Sequence, residues 1–129
     1  DDVAVVLELS RDFTAIARTL RAVQTRDDAF RLQTQWTRLG VREQIATLRD
    51  RVLGLSASGR MLAAGLRFNA AVAALGEIDA RVPADCKLTP QTLRTTLSCS
   101  AALSLDPLFL TSVLNRAEAE WAKGEDALR

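Results

Sequence analysis

The sequence predicts an all-α domain: an antiparallel four-helix-type bundle with one additional short helix, about five helices in all, and no sheet. Three observations predict it. Apolar residues recur at alternating three- and four-residue spacings over most of the 129 residues, which lays them on one stripe of a helix. Acidic caps and cap-proline pairs punctuate those stretches as helix starts. No segment sustains the two-residue alternation of β-branched side chains that marks a strand. A chain of this length has the size of one domain, so 1–129 reads as one bundle.

The first segment, Val3 to Val23, sets Val6, Leu9, Phe13, Ile16, Leu20 and Val23 on one seam, a geometry suited to shallow crossing angles. Asp1 and Asp2 stand where the helix dipole favours anions. Asp27 or Asp28 is the expected N-cap of the second segment. There Leu32, Trp36 and Leu39 form one seam, and Val41, Ile45, Leu48, Val52 and Leu55 form another in a different phase. Continuing the first frame would bring Glu43 into the core, which a carboxylate opposes. Gly40 lies at the change, so the helix should kink or break there.

Gly54 to Gly59 reads as a turn by composition. A third helix over Gly59 to Arg81 carries Met61, Phe68, Val72, Leu75 and Val82 on one face, widened by Leu62, Leu66 and several alanines. It should be the most buried, and Pro83 ends it. Thr89-Pro90 and Asp106-Pro107 have the form of a cap followed by proline at the first helical position. They predict a short fourth helix over Pro90 to Leu103 and a fifth from Pro107 to Trp121 or beyond. The first, second, third and fifth helices make the bundle, with the fourth across one end or beside the third.

Composition narrows the chemistry. With 48% hydrophobic and 26% charged residues the chain has the makings of a globular core. A net charge of +1 with interleaved signs leaves no basic block for nucleic acid. The dominance of arginine and alanine reads as the coding bias of a high-GC, bacterial genome. No run reaches the ~20 apolar residues of a membrane span. The chain opens on Asp1-Asp2 rather than methionine, which reads as a mature or trimmed product.

There is no histidine. Its absence disfavours the usual general base, haem ligation, a two-cysteine zinc site and the glutamate–histidine pairs of di-iron bundles. Gly54 to Arg60 lacks the lysine, the hydroxyl and the preceding strand of a phosphate loop. Glu118, Glu120, Glu125 and Asp126 read as a solvated terminal face. Trp36 and Trp121 fall in register with the seams and read as core. No catalytic residue, cofactor or metal is therefore expected, and no enzyme.

Two features carry what remains. Cys86 and Cys99 are the only cysteines; they pair as a disulfide in an oxidising compartment or stand as two free thiols. Gly40, the fourth-helix region and the linker around Cys86 form an irregular end where binding would reside, with Arg42 and Arg94 as candidate contacts. The expected function is a non-enzymatic helical-bundle binding protein, periplasmic, lumenal or secreted. A protein partner is favoured, as for an accessory subunit or a pilotin-like or immunity-type lipoprotein; a small ligand would make it a sensor domain. The alternative is a cytosolic adaptor or secretion chaperone with free thiols.

Overall fold

In a computed structural model the structure describes residues 2–56, 59–82, 88–91, 94–97 and 105–129. Helix α1 (Asp2–Arg21) is followed by α2 (Arg26–Leu39), α3 (Val41–Ser56), a 3-10 turn at Gly59–Met61 and α4 (Leu62–Asp79). A hairpin, β1 (Leu88–Gln91) and β2 (Arg94–Leu97), precedes α5 (Pro107–Asp126). α4 packs on α3 and on α5, and α1 closes the ring against both of those neighbours. The four-helix bundle is thus α1–α3–α4–α5, with α2 laid against α3.

Most of the seams read from the sequence face the core, but Leu39 is 41% exposed, and Leu62 and Leu66, expected to widen the buried face of the following long helix, turn to solvent. Val6, Leu9, Phe13, Ile16 and Leu20 of α1 meet Ile45, Leu48 and Val52 of α3 and Leu110, Leu114 and Trp121 of α5 in one buried cluster. The second long segment breaks where its phase changes. Gly40 caps α2 in the left-handed conformation, φ 69°, and α3 starts at the next residue. That break lets Trp36 and Val41 both turn inward.

The remaining starts divide. Asp106 caps α5, accepting from Leu108 N–H ahead of Pro107. At α2 the N-cap is Thr25, not Asp27 or Asp28. Thr25 Oγ1 accepts from Asp28 N–H at 3.1 Å, and the Asp28 carboxylate accepts from Thr25 N–H at 3.1 Å, closing a capping box. Gly54, expected in a turn, lies inside α3, whose buried Val52 and Leu55 hold that last turn helical against glycine's preference.

Residues 88–97 differ from expectation locally. Thr89-Pro90 starts no helix; β1 and β2 pair antiparallel, Leu88 with Leu97 and Gln91 with Arg94. Four threonines within 89–96 are stiff at χ1 and favour extended backbone. The hairpin is a two-stranded ribbon and leaves the all-α class of the bundle intact.

α4 is the central helix. Against the expectation that no run reaches span length, Gly59–Asp79 is apolar enough by length and composition to cross a bilayer; about half of it is buried in the bundle, through Ala64, Phe68, Ala71, Val72, Leu75 and Ile78. Its approach to α5 is close because Gly124 has no side chain: a Cβ there would stand 2.5 Å from Phe68 Cε1. Phe68 also lies 4.3 Å, centroid to centroid, from Trp121, which stacks on Phe13 at 4.5 Å. Trp121 Nε1 donates to Ser10 Oγ at 2.9 Å, so the buried indole has its polar atom satisfied.

Candidate functional site

The end of the bundle around Gly40 is held by a polar knot. Asp79, the last residue of α4, accepts at Oδ1 from Trp36 Nε1 and from Arg42 Nε, both at 2.8 Å. Arg42 Nη2 also donates to the carbonyls of Val82, at 2.7 Å, and of Asp79. One guanidinium thereby satisfies the carboxylate and carbonyl groups that the end of α4 leaves open. Nearby Gln33 is fully buried, and its Oε1 accepts from Leu105 N–H at 3.2 Å. Gln33 ties the entry to α5 back onto α2.

Arg42 is therefore committed inside the fold. Arg94 opens β2 opposite Gln91, and Cys86 and Cys99 lie outside the described residues. A charge reversal at Arg42 would perturb the knot as well as any interface. The knot itself left little trace in the sequence: Asp79 is one aspartate among many, and only its place just before the Pro83 stop hinted at a helix end.

The late carboxylates do more than solvate a face. Glu118 takes Arg21 Nε and Nη2, both at 3.1 Å, across the α1–α5 seam. Glu125 accepts from Ser10 Oγ at 3.2 Å. Glu120 holds Arg67 of α4 at 3.2 Å, and that hydrogen bond, with Lys123 beside it, lowers the Glu120 pKa. Asp28 is lowered by the backbone N–H groups of Gln24 and Thr25 that it accepts from. Both shifts have structural causes. Among the described residues no three His, Cys, Asp or Glu side chains gather as a metal site.

The outward stripe of α1 is different. Toward α3 the helix presents Glu8 and Asp12, which hold Arg51 at 3.0 and 2.9 Å. Toward α5 it presents Ser10 and Arg21. Between those flanks Val3, Leu7, Arg11, Thr14, Ala15 and Arg18 face solvent. Val3 and Leu7 keep 68% and 56% of their surface exposed, and no described residue forms an ion pair with Arg11 or Arg18. Leu7, Arg11, Thr14 and Arg18 line a shallow groove of about 400 Å³. A second groove, about 480 Å³, runs beside it between α1 and α3 over Ala15, Ile16 and Leu48, rimmed by Asp12 and Glu43. Spacing alone exposed this stripe, because it is what the apolar seam of α1 leaves over. In the sequence the apolar pair belongs to the opening run Val3 to Leu7, which is too short to span a bilayer.

No protein-family model matches the chain, and no curated protein or solved structure matches it either.

Proposed function

We propose that the chain is a non-enzymatic binding domain of an exported protein, an accessory subunit that works by covering part of its bundle with a protein partner. The observation that carries this reading is the outer stripe of α1. An exposed apolar pair, Val3 and Leu7, is followed there by Arg11 and Arg18, which have no ion-pair partners among the described residues. Isolated exposed leucines are ordinary, but an aligned apolar and cationic stripe over a groove has the make-up of an interface. The test is a photo-crosslinking residue at Thr14, in the cells that make the protein, against the same residue at Thr111 on α5. A partner trapped from Thr14 and not from Thr111 is the expected result. Trapping from neither position would overturn the binding reading.

Export rests on the cysteines, which we propose pair. The support is the hairpin register. Leu88 pairs with Leu97 and Pro90 with Thr95, and Cys86 and Cys99 stand two positions beyond Leu88 and Leu97 in the sequence. Pro90 has no N–H, so its pair belongs to the non-hydrogen-bonded set, and pairs two residues apart are of one kind. The sequence positions of Cys86 and Cys99 continue that register by two. Non-hydrogen-bonded pairs in general hold their Cα atoms about 4.5 Å apart, within disulfide reach. A two-stranded hairpin is marginal by itself, and the bridge would add about 3 kcal/mol by closing a short loop. Thiol titration of denatured, unreduced protein from its native compartment should find no free cysteine. Two reactive thiols would instead favour a cytosolic adaptor.

A further inference from the structure

We infer that the outer stripe of α1 docks a single amphipathic helix of acidic character, contributed by a different protein. The inference rests on the binding reading above and names the partner's chemistry. Val3, Leu7, Arg11 and Arg18 follow one another along the stripe over about 22 Å of helix. Helix-in-groove recognition uses side chains at such spacings. An apolar pair at one end of the partner would cover Val3 and Leu7. Carboxylates about two turns apart would meet Arg11 and Arg18, whose guanidinium forks suit such pairs.

Charge decides between possible occupants. The stripe's own charges are both positive, whereas each flank sets two carboxylates against one arginine: Glu8 and Asp12 with Arg51 toward α3, Glu118 and Glu125 with Arg21 toward α5. A broad anionic surface, such as a bilayer or a nucleic acid, would meet those flanking acids along with the arginines. A partner helix about 10 Å across contacts the stripe alone. A second copy fits poorly, because two such stripes laid together place arginine against apolar residues or against arginine.

The probe is a lactam-bridged synthetic helix of about 18 residues, with leucines spaced as Val3 and Leu7 and glutamates spaced as Arg11 and Arg18. Its binding to the full chain is read by fluorescence anisotropy. The Arg11→Glu/Arg18→Glu double variant should bind about tenfold more weakly, since two attractions become two repulsions. A second peptide with lysine for glutamate should restore binding to that variant. Val3→Ser/Leu7→Ser should weaken both pairings. Equal affinity of wild type and the double arginine variant for the glutamate peptide would overturn the proposal. So would no binding at millimolar peptide, or arginine-dependent binding to phosphatidylserine vesicles. A partner trapped from Thr14 alongside a peptide that does not bind leaves the binding reading standing and this partner chemistry wrong.

Discussion

Gly124 shows how one missing methyl group sets the distance between two helices. Phe68 fills the space a side chain would take, with the Cβ position 2.5 Å from Cε1 and 2.6 Å from Cδ1. The ring has little freedom to retreat, because Trp121 lies against it and Phe13 backs Trp121. Gly124→Ala should therefore cost roughly 1–3 kcal/mol through overpacking. Gly76 in α4 is the control: apart from its own turn of helix backbone, no heavy atom lies within 4 Å of its Cβ position. Gly76→Ala should gain up to about 1 kcal/mol from helix propensity. Urea denaturation of the two variants checks both signs, and a neutral Gly124→Ala would refute the account of α4–α5 packing. In the sequence both glycines look alike, since close approach is a property of two helices together. Gln33 is similar. A polar residue beside the Leu32–Trp36 seam gives no sign that it is fully buried on a backbone N–H some seventy residues away.

At the scale of elements, the break after α2 was legible because it is written in periodicity. Two seams of different phase cannot share one straight helix, and Gly40 occupies the only residue between them. Its φ of 69° makes Gly40→Ala a loss of about 1 kcal/mol, where a helix interior would show a gain. A stability gain in that variant would sink the reading. The capping box predicts a pH dependence. The folded-state pKa of Asp28 is lowered, first by Gln24 N–H and then by Thr25 N–H. Its contribution is thus present above the unfolded value near pH 4 and lost as pH falls through the lower folded value. Asp28→Asn should remove that dependence, so wild type and variant should converge in stability on acidification; a constant gap in denaturation midpoint down to acid pH would contradict it. The hairpin was not legible because Thr89-Pro90 serves equally as a helix start and as extended backbone. Only the density of threonine distinguishes the two, and a local signal of that kind yields to tertiary context.

For the whole molecule, the fold was readable because burial repeats along every helix, whereas a surface is read only once the helices are assembled. Arg42 and Arg18 are the same residue type on helix faces, and the sequence offered no means of ranking them. The structure separates them through Asp79. Arg42 joins the start of α3 to the end of α4, and Trp36 brings α2 to the same carboxylate. Three helices thus depend on one acid, whose side chain is only 23% exposed. Removing Arg42 leaves Asp79 and the Val82 carbonyl without their charged donor, and hydrogen bonds to charged groups contribute about 1.5–3 kcal/mol. Arg42→Ala should lose about that much. Asp79→Asn retains an acceptor for Trp36 and removes only the charge, so it should cost less. Because both substitutions break the same contact, the double variant should be less destabilised than the two losses added together. Arg11→Glu/Arg18→Glu, at two arginines that form no ion pair with a described residue, should stay within about 0.5 kcal/mol of wild type. The check is a set of four urea curves alongside the peptide titrations. A neutral Arg42→Ala would free that residue for an interface at the Gly40 end, and a large loss in the α1 pair would make the stripe part of the fold.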